Sequence, residues 1–366
     1  MIGRSAARGS ICGGVAHDKL PISCAIPPQK RTVGAIDAVS VGLVVGFAAD
    51  RLFGDPARYH PVAGFGRVAS ALQRPLYGQS RVNGAGYEAI LVGGSVLLGG
   101  LAHRAPGWRR AGLTGVATWA VLGGRTLERE ARAVQRLVQD DDLPGARRRV
   151  SSLVGRDPSG LTGDELARAC VESLAENTSD AVVAPLVWGA IAGIPGLVGY
   201  RAINTLDAMV GHRTPKWEQF GWAAARVDDL ANLLPARLAT ALTSLLSGEP
   251  GKVLAVVRRD AGRHPSPNGG RIEAAFAATL GIRLGGSNVY AGINEDRGTL
   301  GDGDPVRVED VERAALLSRR LSWASLLTVV GARLLARLVA HRRIKSKRTG
   351  MASVISRRAR RARPRR

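Results

Sequence analysis

Residues 181–200 read AVVAPLVWGAIAGIPGLVGY, twenty positions without one charge, and the class of the whole chain turns on them. A helix of that length rises about 30 Å, the thickness of a hydrocarbon core. Other apolar runs lie on either side. Ala35 to Ala49 is interrupted only by Asp37, and Ala89 to Ala102 pairs with Ala111 to Gly124 across the basic turn from His103 to Arg110. Leu321 to Ala332 continues to Ala340 if Arg333 and Arg337 extend their charged ends toward an interface. Several runs are shorter than a span, and each alone also suits a buried helix of a soluble protein. Together, rich in Gly and Ala and with only 4% aromatic residues, they read as four or five close-packed membrane helices. The expected fold is mainly α, a polytopic helical membrane protein with polar loop segments between the spans.

Charge divides the chain further. The formal net charge is +22 over 366 residues, and mean hydropathy is close to zero. From Arg342 to Arg366 there are twelve Lys or Arg and no acid, which leaves +10 for the rest. Such a like-charge block is expected to be a disordered tail, 341–366. It lacks the aromatic interleaving of single-strand nucleic-acid binders, which favours membrane lipid over nucleic acid as its partner. A basic tail after the last span places the C-terminus on the cytoplasmic side of a multi-pass cell-membrane protein. Residues 1–34 show no periodicity and no apolar core of a signal peptide, and read as a loosely ordered extension. The membrane domain is then 35–340. Cys12, Cys24 and Cys170 have no disulfide or metal spacing, and Cys170 reads as a small core residue.

Between the apolar runs lie polar segments. Leu127 to Val150 alternates charge at helical spacing and reads as an amphipathic helix. Gly248 to Val308 is rich in Gly, Pro, Asn and Asp and reads as loop with short helices, with no alternation to support a large sheet.

Three sets of residues could carry chemistry. Glu165, Arg168, Glu172, Glu176 and Asp180 recur every three or four positions, with Asn177 beside them, so a helix stacks them on one face. A solvated face is the ordinary reading of such a stripe. Here it runs straight into the uncharged stretch, and Glu172 and Glu176 repel at i, i+4 unless a cation lies between them. The second set is Arg201, Asn204 and Asp207, followed by Lys216; polar groups facing inward on a membrane helix point to function. The third is Arg226, Asp228 and Asp229. Two Pro-bearing loops, around His60 and from His264 to Asn268, have the rigidity and Gly content that suit wrapping an anion. No nucleotide fingerprint is present.

These strings, taken in order, resemble the adenosylcobinamide-phosphate synthase family of cobalamin biosynthesis. The resemblance rests on DRLFGDP from Asp50 with His60-Pro61-Val62, ESLAENTSD from Glu172, YRAINTLDAMVG from Tyr200, RVDDLAN from Arg226 and RDAGRHPSPN from Arg259. It runs from about Ile36 to Leu338. Ala181 stands where the family pattern has Gly, and Arg271 where it has Trp. The resemblance implies an ATP-dependent, Mg²⁺-requiring ligase that joins (R)-1-amino-2-propanol or its O-phosphate to the corrinoid adenosylcobyric acid. It implies Glu172, Glu176, Asp180 and Asp207 as magnesium residues, and Arg201, Lys216, Arg226, Asn177, Asn204 and Asn268 as substrate or phosphate contacts. His264 or His60, with Asp228 and Asp229, would carry the proton transfers. Other late cobalamin enzymes are possible partners. A corrinoid transporter or a non-catalytic membrane scaffold are the rival readings; a transporter calls for inverted repeats, and none is visible.

Overall fold

The first helix starts where Asp37 caps it, its carboxylate accepting the Ser40 N–H at 3.2 Å. The computed structural model describes residues 37–55, 60–155, 157–212, 214–290 and 293–361, with backbone alone at 287–290, 293–295, 341 and 343–361. Over these the protein is mainly helical. The elements are α1 (Ala38–Phe53), α2 (Pro61–Leu76), α3 (Arg81–His103), α4 (Gly107–Val121), α5 (Gly124–Gln139), α6 (Leu143–Val150) and α7 (Gly163–Thr178). A π-helical turn (Ser179–Val183) leads into α8 (Ala184–Ala192), then α9 (Ile194–Val210), α10 (Trp222–Ala231), α11 (Leu233–Leu246), α12 (Pro250–Asp260) and α13 (Gly269–Leu280). Strands β1 (Ile282–Tyr290) and β2 (Ile293–Leu300) pair antiparallel, the short β3 (Asp304–Pro305) pairs parallel with β1, and α14 (Asp310–Arg361) closes the chain.

Four expectations change. The uncharged stretch 181–200 is not one helix: it breaks at Gly193, φ +69°, and α9 folds back against α8. Pro195 enforces the break, because its ring cannot continue the preceding helix. Two helices among the described residues are long and apolar enough to span a membrane, Arg81–His103 and Asp310–Ala340. The amphipathic segment 127–150 is two helices, α5 and α6, separated at Asp141 with φ +61°. Within 248–308 the chain is more regular than expected and includes the β-hairpin. The basic tail expected to be disordered continues α14 as helix to Arg361, and the N-terminal extension 1–34 lies outside the described residues.

Packing follows from small residues and from ion pairs. Gly42 and Gly46, a small-xxx-small pair on α1, meet Thr114, Gly115 and Thr118 of α4. A Cβ at Gly46 would stand 2.4 Å from the Gly115 carbonyl oxygen and from Thr118 Cβ, so the two backbones touch only because it is absent. Asp37 ties the first helix to the last, through Arg333 Nε at 2.5 Å and Arg337 at 2.8 Å. Glu128, fully buried on α5, receives Arg51 of α1 at 2.7 Å and Arg319 of α14 at 3.0 Å, with Arg132 at 3.2 Å. The main core lies among α1, α5, α7, α8, α11, α13 and α14 and includes Cys170. A smaller one lies among α2, α3, α9 and α10, around Tyr87, Leu206 and Phe220. Leu97, Leu98 and Leu101 of α3, Val45 of α1, Val116 of α4 and Leu335 of α14 are exposed, an apolar surface of the kind that faces lipid.

The loop from His264 to Asn268 is fixed from within. His264 Nδ1 accepts the Ser266 N–H at 3.0 Å, and Ser266 Oγ accepts the N–H groups of Asn268 and Gly269 at 3.3 and 3.0 Å. The ring is buried, with Nε2 3.4 Å from Glu273. Burial, and then the charge of Arg297, push its pKa down to about 4 from 6.5.

Two tests follow from this packing. Replacing Gly46 by Val should separate α1 from α4 and cost about 1–3 kcal/mol, read as a lower melting temperature in detergent. For His264 the sign is set by a depressed native pKa: the unfolded chain binds a proton below pH 6.5 that the native loop refuses. Its contribution is therefore complete above that pH and declines as pH falls toward 4. Melting followed from pH 7 to 4 should show a steeper acid loss in the wild type than in His264→Asn; equal slopes would refute the assignment.

Candidate active site

Where α7 ends, the backbone widens into the π-helical turn, an irregularity that re-aims side chains and recurs at functional sites. Asp180 is carried on that turn, and Glu176 lies one helical turn before it. On α9, Tyr200, Arg201, Asn204 and Asp207 follow at helical spacing, and α10 brings up Asp228 and Asp229. The groups are wired together. Arg201 donates to Asn204 Oδ1 at 3.4 Å, and Asn204 Nδ2 donates to Asp228 Oδ1 at 3.4 Å. Asn232 Nδ2 donates to Asp228 Oδ2 at 3.0 Å, while Tyr200 O–H donates to Asn232 Oδ1 at 2.8 Å. Both oxygens of Asp228 are thus oriented by amides.

Electrostatically the cluster is a set of carboxylates in one another's field. Burial first, then Asp207, raise the pKa of Asp228 to about 7, against the amide hydrogen bonds that lower it. Burial, then Asp229 and Glu176, raise Asp207 to about 6. Asp180 is pushed well up by burial, then by Asp228, Glu176 and Asp207. Arg201 is the cation in this field, acting on Asp180 and on Asp55. Its Nε is buried without a hydrogen-bond partner among the described residues, so it has donor capacity left for a ligand. At the same edge Asp55 is raised by burial against the pull of His60.

The expected residues divide by position. Glu176, Asp180, Asp207, Asp228, Asp229, Arg201 and Asn204 come together, with His60 at the edge through Asp55. His60 caps α2, its Nδ1 accepting the Val62 N–H at 3.1 Å, so its proton-bearing nitrogen is Nε2, which offers a donor. Arg226 stands at the rim, mostly exposed, 3.6 Å from Asp229. Asn268 supports the site indirectly, donating to the Asp229 carbonyl at 2.8 Å.

Four residues are placed otherwise. Glu172 accepts the Gly285 N–H at 2.9 Å and lies 4.0 Å from Arg168, so it braces α7 against β1. Asn177 donates to Ser173 one turn back on its own helix, at 3.1 and 3.0 Å. Lys216 is exposed and stacks its ammonium 4.2 Å above the Trp217 ring. His264 has its Nδ1 lone pair engaged by Ser266 and its Nε2 facing Glu273, an arrangement that holds a loop rather than accepts a substrate proton. The loop's N–H groups are likewise satisfied by Ser266, which leaves them engaged rather than open to an anion.

Two grooves mark the surface nearby. One, of about 510 Å³, runs along α2 and is lined by Arg67, Ser70, Arg74 and Met209. The other, of about 260 Å³, lies between α7 and β1 beside Arg168, Arg283 and Gly285. Among the described residues no three of His, Cys, Asp or Glu converge as a ready-made metal cage. Magnesium does not require one: it binds through one or two carboxylates and completes its shell with water and substrate phosphates. An all-oxygen donor set whose members repel one another fits that ion.

The structure adds residues that the sequence reading left out of the site. Asn232 and Tyr200 orient Asp228, and Asp55 couples His60 to Arg201. Glu88 on α3 faces Asp207 and Asp228. A signal for Glu88 was present: it is the one acid between Asp55 and Glu128, at the edge of an apolar run.

Comparison with known proteins gives the family of the chain. Residues 43–318 match the family model described as CobD/Cbib protein. The cobalamin biosynthesis protein CobD of Mycobacterium tuberculosis (strain ATCC 25618 / H37Rv) is 47% identical over 310 residues, covering 83% of this chain and 96% of the relative. That of Rhodobacter capsulatus is 42% identical over 303 residues, covering 79% and 95%. That of Geobacter metallireducens is 42% identical over 268 residues, covering 69% and 83%. No solved structure matches the chain. The family model covers most of the chain and relatives align almost end to end, so this protein belongs to the CobD/CbiB family of cobalamin biosynthesis proteins.

Proposed function

We propose that the protein is an ATP-dependent acid–amine ligase that joins (R)-1-amino-2-propanol, or its O-phosphate, to adenosylcobyric acid. The observation that carries this reading is the oriented carboxylate cluster with one buried guanidinium at its edge, in a chain of the cobalamin family. A carboxylate is a poor electrophile, so amide formation needs an activated acyl group. In the proposed reaction the corrinoid carboxylate oxygen attacks the γ-phosphorus of ATP and ADP leaves. A carboxylate takes one proton from the ammonium, the freed amine nitrogen attacks the acyl carbon, and phosphate leaves with the second proton.

The residues have matching capacities. Arg201, with a free Nε donor, and His60, through Nε2–H, hold phosphoryl oxygens at one edge, and Arg226 reaches them from the rim. Asp228, fixed by Asn204 and Asn232, accepts the proton from nitrogen; its raised pKa matches that task near neutral pH. Glu176 and Asp180, with Asp207 acting directly or through water, would hold Mg²⁺. When bound, that ion neutralises charge on the phosphates. The exposed apolar surface of α1, α3, α4 and α14 seats the protein in the cell membrane, and the basic C-terminal stretch contacts anionic lipid with the C-terminus cytoplasmic.

The test is a ligation assay in detergent or nanodiscs, with adenosylcobyric acid, ATP, Mg²⁺ and either amine, followed by mass of the corrinoid product. Product should require ATP, and ATP hydrolysis should require the corrinoid acid. Glu176→Gln should abolish ligation in a folded, inserted protein. Asp228→Asn should lower kcat at least about 100-fold with its melting temperature retained. Near-normal turnover in both variants would overturn the assignment, and no product with either amine from folded wild type would overturn the ligase reading.

A further inference from the structure

The buried acid that the proposed mechanism leaves unused is Glu88. It lies on α3, the helix that packs against α9 and α10, it is 4% exposed, and among the described residues neither carboxylate oxygen has a hydrogen-bond partner. A carboxylate taken out of water without a donor is costly, and it persists in a fold only if neutralised or matched by a cation. The charged groups acting on Glu88 are Asp207 and Asp228, both of its own sign. Arg201 does not supply the match, since its influence falls on Asp55 and Asp180. The cluster therefore has two electrical sides. Arg201 and His60 make one side suited to phosphates, and on the other the charged groups are the carboxylates Glu88, Asp207 and Asp228, with the amides of Asn204 and Asn232 on Asp228.

We propose that Glu88, with Asp207 and Asp228, is the recognition site for the ammonium group of the amine substrate. This rests on the ligase reading and goes beyond it by assigning the amine-specificity residue. An ammonium suits this side better than a metal ion does. Its three N–H donors reach oxygens at about 2.8 Å, and so it tolerates carboxylates more widely spaced than the roughly 2.1 Å bonds of Mg²⁺ allow. The described residues offer no three-ligand metal group here. The placement also suits the chemistry: bound beside Asp228, the ammonium lies next to the carboxylate that takes its proton, which leaves a neutral, nucleophilic amine.

The test uses the full-length protein in nanodiscs and the variant Glu88→Gln, with Glu88→Asp as the conservative partner. 1-Amino-2-propanol and its O-phosphate are titrated calorimetrically without ATP, and Mn²⁺ is titrated separately by electron paramagnetic resonance. Glu88→Gln should weaken both amines at least about tenfold, raise KM for the amine more than it lowers kcat, and leave Mn²⁺ affinity unchanged. Glu88→Asp should recover part of the amine affinity. The melting temperature of Glu88→Gln should equal or exceed that of the wild type, because the neutral amide adds no charge to a side that already holds Asp207 and Asp228; a purely structural glutamate would give the opposite. Unchanged amine affinity would overturn the proposal, and so would loss of Mn²⁺ affinity in place of amine affinity. Should the wild type bind the amines through Glu88 yet form no product, the ligase reading falls and the cation site stands.

Discussion

Repulsion between carboxylates held in one largely buried cluster is the constraint around which the rest of this protein is arranged. Two such charges about 5 Å apart, at an effective dielectric constant near 20, repel by roughly 3 kcal/mol. Glu88, Glu176, Asp180, Asp207, Asp228 and Asp229 are brought together nonetheless. They come from α3, α7, the π turn, α9 and α10, so no one element could keep them close by itself. The amides of Asn204 and Asn232 hold Asp228 in place, and the packing of Tyr87, Leu206 and Phe220 fixes the helices that carry Glu88 and Asp207. A cation placed among them would relieve repulsion that the fold otherwise has to restrain, so in its absence the apolar packing around the cluster carries that cost.

Ion pairs elsewhere serve the opposite end. Glu128 gathers three arginines where α1, α5 and α14 meet, and Asp37 binds two arginines of α14. In both places one buried acid is outnumbered by guanidinium groups, so the charge is matched and the contact braces helices. At the cleft the ratio is reversed, with six acids to the single buried guanidinium of Arg201. The same residue types thus serve as brace in one place and form the candidate site in the other, and the distinction lies in local stoichiometry, which spacing along the chain does not reveal.

That limit explains what the sequence disclosed. Arg201, Asn204 and Asp207 were legible because polar groups at helical spacing beside an uncharged stretch have few structural uses. Glu176 and Asp180 were legible for the same reason. Glu172 was grouped with them by its i, i+4 spacing, but the face of α7 divides: its early turns meet β1, and only its last turn and the π segment meet the cleft. Twenty uncharged residues cannot by themselves separate one spanning helix from two packed halves; Gly193 and Pro195 held that information. Glu88 was passed over because the apolar run was counted from Ala89, one residue too late. The loop from His264 read as an anion cradle since Pro and Gly suit both an open cradle and a closed turn, and Ser266, by occupying the N–H groups, selects the closed turn.

The lengths of the apolar helices then place the chemistry relative to the membrane. On α3 the acid of the cleft, Glu88, and the basic turn that opens at His103 are fifteen residues apart, about 22 Å along a helix axis. Asp50 and Asp37 lie toward the two ends of α1, the first accepting the Arg125 N–H and the second paired with Arg333. A hydrocarbon core is about 30 Å thick, so polar groups at the two ends cannot both reach water across an undistorted bilayer by helix length alone. Arg104 and Arg109, exposed at the far end beside the exposed Trp108, have the long stems needed to extend toward headgroups. Asp207, Asp228 and Glu88 have short side chains, so their end must lie level with the water. On the proposed reading the carboxylate cluster therefore lies level with an interface, while the exposed apolar faces of α1, α3, α4 and α14 are of the kind that meets lipid.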